Sequence, residues 1–201
     1  MLILPFAVVL GLIAGSAAGG SWRPLVDTHF WRPSLVLAAI ASQAALTLPG
    51  LRDWSADVRF AIVVVTYLIL GWWLVENARR SPNGVRLGFG IIASGWLLNL
   101  LAIVPNGGMP VSKSALARAG IASSTSVIRG HLAKHVSIND GTVLRVLGDT
   151  IPLRWFRSVV SPGDVLIAVG IGVLVAAAMK APKVDDGPLV LAALAHSKGG
   201  D

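Results

Sequence analysis

Five stretches of this chain are apolar, with charges only at their edges: residues 2–18, 34–48, 58–75, 85–104 and 165–179. No other feature narrows the possible folds so far. Backbone N–H and C=O groups in hydrocarbon have no water to bond, so a segment that crosses a bilayer alone must satisfy them internally as a helix. A hydrocarbon core of about 30 Å takes roughly 20 helical residues. Residues 85–104 reach that length. Residues 34–48, bounded by Pro33 and Pro49, are short; they must borrow Phe30 and Trp31 or lie in thinned bilayer. Only 13% of residues are charged and 54% are hydrophobic, against about 25% charged in a soluble domain. The expectation is an all-α integral membrane protein with five transmembrane helices and one large ordered loop between helices 4 and 5.

The chain then divides into a four-helix transmembrane region at 1–104, an extramembrane loop at 105–163, a fifth helix at 164–180 and a polar or amphipathic tail at 181–201. The tail's PLVLAALA is too short to span and reads as a surface-lying patch. No Lys or Arg precedes Arg23, so the first segment lacks the basic start of a signal peptide and reads as a retained span. Five spans put the termini on opposite sides. Among the short connections, eight basic residues (Arg23, Arg32, Arg79, Arg80, Arg86, Lys180, Lys183, Lys198) face two (Arg52, Arg59). The positive-inside rule then places the C-terminus in the cytoplasm and the large loop outside. The net charge is +7, but no basic run exceeds Arg79-Arg80. Cations flanking spans match anionic headgroups, so the lipid bilayer is the expected partner and nucleic acid is not. The absence of cysteine excludes disulfides, thiolate catalysis, Fe–S clusters and Cys-ligated zinc. No cofactor is expected.

Ala7, Gly11, Gly15 and Gly19 recur every four residues in the first segment. Such a face lets another helix approach closely, either within this chain or from a protein partner in the membrane. Gln43, inside the second segment, is expected to hydrogen-bond a neighbouring helix.

Most candidate chemistry falls in the loop or at its two ends. Pro105-Asn106-Gly107-Gly108 permits positive φ and a sharp exit from the fourth helix, making Asn106, Gly107 and Gly108 candidate binding residues. Met109-Pro110-Val111 is an extended step, and Ser112 caps a short helix through Arg118. Residues 123–126 precede a second expected helix, on which His131 and His135 would share one face as weak zinc-ligand candidates, with Asp140 or Asp149 as a third ligand. Asp149 and Asp164, if brought together, could share a proton and activate water; alternatively one is a turn residue and the other a helix cap. Asn99 lies inside the fourth span and needs a polar partner: Asp164, Gln43 or loop backbone. Residues 142–147 suit strand or helix. Residues 151–156 form a strip returning to the membrane, where Arg154 and Arg157 beside Trp155 and Phe156 suit a lipid phosphate.

NLLAIVPNGGMPVS, LGDTIPL and SPGDVLIAVGIG, in that order across the whole chain, resemble a family of small bacterial membrane proteins catalogued as domain of unknown function 5317. That resemblance implies a multi-pass protein of the bacterial cytoplasmic (inner) membrane and no particular activity. The last helix is also similar, more distantly, to that of the lipoprotein signal peptidases, which are intramembrane aspartyl proteases. On that likeness Asp164 would be a catalytic aspartate and Asn99 the asparagine before the other one. Ala102 stands where the second aspartate would be, so the dyad is missing unless Asp149 reaches in from the loop.

The spans hold few strongly polar groups, which points away from catalysis and toward a non-catalytic accessory or scaffold subunit of a membrane complex. The alternative is a membrane-embedded enzyme or lipid-binding protein with its site under the 105–163 loop, using Asp164, Asp149 and Asn99.

Overall fold

The computed structural model describes residues 3–26, 28–46, 48, 50, 54–121 and 135–180. The tail at 181–201 and His131 lie outside them. The described chain is mostly helical. Helix α1 (Ile3–Ala17) and the short α2 (Trp22–Val26) lead to α3 (Ser34–Ala45). The two long helices are α4 (Ala56–Arg80) and α5 (Asn83–Asn106). Both are long and apolar enough to cross a membrane, whereas α1, α3 and the last helix, α7 (Pro162–Ala178), are shorter.

Several helix ends fall where the sequence supplies capping groups. Ser55 accepts a hydrogen bond from Val58 N–H at the start of α4, and Asp57 in the first turn meets the positive end of the dipole. Arg79 and Arg80 complement the other end. Helix α5 runs two residues further than the apolar segment, through Pro105 to Asn106. A proline this close to the end removes little of the helical ladder. Gly107, left-handed at φ 66°, then turns the chain, and the N–H groups of Gly107 and Gly108 both donate to Ile103 C=O.

Helix α7 is central. It runs antiparallel to α5 and parallel to α1, with small residues at both seams. A Cβ on Gly88 of α5 would lie 2.6–2.7 Å from Leu174 of α7, and one on Gly170 would lie 2.7 Å from Ile92. On the other seam Ala7, Gly11 and Gly15 are buried against α7; a Cβ on Gly11 would sit 2.7 Å from Gly172 O. The small-residue face is therefore filled from within the chain. Gly19 stands apart, at φ 79° with nothing near its α-carbon. A protein partner would have to meet another face.

Helix α3 lies on α4, where Ser42 and Thr66 hydroxyls are 3.1 Å apart. Ser42, rather than Gln43, makes the interhelical bond. Adjacent residues lie about 100° apart around a helix, so only one can point at α4. Gln43's amide has no hydrogen-bond partner among the described residues. The connector before α3 is pinned to the far end of α4: Asn77 Oδ1 accepts from Trp31 N–H at 2.8 Å, and Trp73 Nε1 donates to Trp31 C=O at 2.7 Å.

The segment between α5 and α7 is a folded cap, and it corrects the all-α expectation. Strand β1 (Met109–Val111) pairs in parallel with β2 (His135–Ser137). Strand β3 (Ile151–Leu153) pairs antiparallel with β4 (Ser158–Val160). Outside apolar helices the backbone can find partners between segments, and short β-branched runs favour doing so. Helix α6 (Lys113–Arg118) starts at Ser112 as expected. His135 lies in β2 and not on a helix. Residues 142–147 give neither strand nor α-helix but a 3-10 turn at Arg145–Leu147, and a second 3-10 turn spans Arg154–Phe156.

The seams make a direct prediction for the purified chain in mild detergent. Gly88→Val should lower stability by about 1–3 kcal/mol through overpacking. Gly90→Ala, on the same helix with open space around it, should be neutral or raise stability by about 0.5–1 kcal/mol. Thermal unfolding followed by tryptophan fluorescence reads both; equal destabilisation by the two would contradict close packing at Gly88.

Candidate functional site

The polar groups expected to meet at the loop's two ends do meet. Asn99 faces inward from α5 and is 4% exposed. Ser161, fully buried, is the N-cap of α7, and Asp164 is its third helical residue. Ser161 Oγ donates to Asn99 Oδ1 at 2.7 Å, and Asn99 Nδ2 donates to Asp164 Oδ1 at 2.9 Å. Ser161 N–H donates to Asp164 Oδ2 at 3.1 Å, and Asp164 N–H donates to Ser161 Oγ at 2.9 Å. The last two bonds form a capping box; the first two carry it across to α5. Capping thus falls to Ser161 together with Asp164, a role the sequence reading gave to Asp164 alone. Gly163 is needed here because a Cβ would collide with Asn99 Oδ1 and Gly95 C=O.

Asp149 forms the second part of the site. Its N–H donates to Pro110 C=O at 2.7 Å, and its C=O accepts from Ser112 N–H at 3.0 Å, so its backbone extends the β1 ladder. Asp149 is 6% exposed, and its carboxylate meets His135 Nε2 at 3.1 Å. Burial raises the Asp149 pKa above the ordinary carboxylate value; the His135 contact opposes this, and the Asp164 charge adds to the rise. Asp149 and Asp164 therefore lie within electrostatic reach of each other. Tyr67 of α4, the only tyrosine in the chain, is within reach of both and stacks on Trp96 at 6.2 Å. Sequence reasoning missed Tyr67. Its signal was a lone phenol in the middle of an apolar span.

Asn106, Gly107, Gly108 and Arg157 bond within the fold. Asn106 acts as a surrogate strand: Oδ1 accepts from Val143 N–H at 2.9 Å, while Nδ2 donates to Val143 C=O at 2.8 Å and Ala102 C=O at 2.7 Å. Gly107 and Gly108 turn the chain beside it. Arg157, left-handed at φ 43°, donates to Gly120 C=O at 3.2 Å, whereas Arg154 is exposed next to Trp155, which is 95% exposed. Asp140 belongs to the turn after β2 and does not join Asp149. Among the described residues no group of three metal-ligating side chains occurs. Ala102 is fully buried, so the carboxylate near Asp164 comes from Asp149 in the cap rather than from α5.

Chemically, the first cluster is closed on itself. Ser161's hydroxyl hydrogen and Asp164's two oxygens all have partners within it. The Asp149–His135 pair can hold and exchange a proton, and His135 Nδ1 has no hydrogen-bond partner among the described residues.

This chain belongs to a family of unknown function, DUF5317, whose profile matches residues 27–176. No curated protein and no solved structure matches it.

Two outcomes follow for stability. Asn99→Ala deprives buried Ser161 of its acceptor and Asp164 of a donor, and should cost about 1–3 kcal/mol. For Asp149 the folded pKa lies above the unfolded one, so folding favours the protonated form. Its contribution is complete below the unfolded pKa and is lost as pH rises through the raised value. Asp149→Asn should therefore flatten the fall in melting temperature from about pH 4 upward, where ordinary carboxylates begin to ionise. An unchanged pH profile would show that Asp149 is not the group responsible.

Proposed function

We propose that this chain is a five-span protein of the bacterial inner membrane and a non-catalytic accessory subunit of a membrane complex, with its cap outside and its C-terminus in the cytoplasm. The membrane reading is supported by the surfaces of α4 and α5. Only 22% and 33% of their most apolar windows are buried inside the protein. The core helix of a soluble protein would be mostly covered, and apolar surface on this scale needs lipid or a partner. The alternating directions of α1, α3, α4, α5 and α7 support reading them as successive crossings. The shorter ones, about 18–26 Å at 1.5 Å per residue, would sit in a bilayer thinned around them.

The observation that carries the accessory reading is the closed cycle among Asn99, Ser161 and Asp164. Buried Asn99 and Ser161 bond each other and, together with Asp164, tie the end of α5 to the start of α7. Surfaces then remain as the working parts. With the Ala7/Gly11/Gly15 face already filled, the exposed side of α3, with Leu37 67% and Ile40 61% exposed, is the face this reading assigns to a partner.

A second reading keeps an enzyme or lipid-binding site under the cap. It is favoured by the buried Asp149–His135 pair and its electrostatic coupling to Asp164. It requires Asp149→Asn and Asp164→Asn to abolish function in cells while the chain still accumulates.

The test of the accessory reading is purification in mild detergent after crosslinking in the native membrane. A co-purifying protein should appear and should be lost in Ile40→Trp. A monomer with no companion, in native gels and crosslinks alike, overturns this reading.

A further inference from the structure

The α1–α7 seam leaves an apolar groove of about 490 Å³. It is lined by the small residues Ala14, Gly172 and Ala176 and by Val169, half-exposed. At the cap end it is closed by Leu153 and Phe156, and Phe156 meets Phe6 of α1 with ring centroids 5.7 Å apart. Its lining is nearly devoid of polar atoms. The volume lies within the about 300–1,000 Å³ usual for ligand sites.

The closed end is also where positive charge is placed. Leu153 and Phe156 bracket Arg154 and Trp155 in the second 3-10 turn. No acidic residue occurs anywhere in residues 151–160. Arg154 has no ion-pair partner among the described residues, and Trp155 projects almost wholly into the surroundings. An indole and a guanidinium at the end of an apolar groove match the boundary between acyl chain and headgroup.

We propose that the groove between α1 and α7 binds one acyl chain of an anionic glycerophospholipid, with the lipid phosphate at Arg154. The groove supplies the apolar length and the cap supplies the charge. An acyl chain suits a slot lined by alanine and glycine, because a flexible methylene chain can fill an irregular apolar channel that offers no hydrogen bonds. The anionic headgroup follows from the unbalanced arginine. The site rests on the membrane reading above but is independent of any protein partner.

The test is native mass spectrometry of the full chain in detergent, titrated separately with phosphatidylglycerol and phosphatidylcholine. One retained lipid per chain is expected, with phosphatidylglycerol preferred by about fivefold, the ratio expected when one arginine faces a net anionic headgroup rather than a zwitterionic one whose choline offsets the phosphate. Ala14→Phe and Val169→Trp, which fill the groove from opposite helices at exposed positions, should each remove most retention of both lipids. Arg154→Gln should abolish the preference while leaving one lipid bound. Retention unchanged in both groove variants overturns the acyl site, and a preference unchanged in Arg154→Gln overturns the headgroup assignment. Equal loss in all three variants with unaltered circular dichroism also overturns that assignment, and a dimer that disappears with groove filling assigns the groove to a second copy instead. Recovery of the chain as a soluble protein without detergent would defeat the membrane reading itself.

Discussion

Everything at the cap end of this molecule hangs on one carboxamide. Asn99 sits where an apolar helix should carry nothing polar, and its two ends are matched to two different groups on α7: Oδ1 to the Ser161 hydroxyl, Nδ2 to the Asp164 carboxylate. An unsatisfied amide in an apolar interior is costly. The bonds are therefore directional constraints that set both the height and the rotation of α7 against α5. Gly163 and Gly95 allow the helices close enough for those bonds to form. Small residues and polar residues thus solve one problem together: the first give distance, the second give register.

From that point the cap is built outward in layers. Gly107 ends α5, Asn106 pairs with the Val143 peptide, and Asp149 extends the β1 ladder while its carboxylate engages His135. Segments far apart in sequence are tied to the α5 terminus by side chains that imitate backbone. The loop consequently has strands and turns of its own, with Val111 and Leu116 buried against Ile121 and Val159. At the opposite end of the bundle, Asn77 performs a comparable service for the connector before α3, bonding Trp31 while the Arg80 and Arg32 guanidiniums lie 4.7 and 4.9 Å from its ring centroid.

This arrangement changes what the candidate chemistry means. Asp164 has its lone pairs committed to helix capping and to Asn99, so its role is positional. Asp149 differs, because burial holds its proton more tightly and, among the described residues, His135 is the side chain that answers it. The exposed arginine and tryptophan of the second 3-10 turn face away from both. Polar groups inside the molecule hold it together, and those at its rim are free to meet the surroundings.

Composition and the spacing of apolar segments determined the helices, because hydrophobic runs and their terminating prolines and glycines act locally. They also determined which polar residues needed partners, since an asparagine in an apolar span cannot be left alone. Asn99's need for a partner was legible on those grounds, while the choice of Asp164 over Gln43 or loop backbone came from the packing of α5 on α7. Other features depended on three-dimensional packing. The Ala7/Gly11/Gly15 face is the same in sequence whether it meets α7 or another protein, and only the fold shows it filled. His131 and His135 have helical spacing, yet His135 is in a strand because β1 offers it backbone bonds from a distant segment. Tyr67 joined the site only because α4 brings it beneath the cap. Pairings that close over long stretches of chain are decided by which surfaces fit once the helices have docked, and no local pattern encodes that choice.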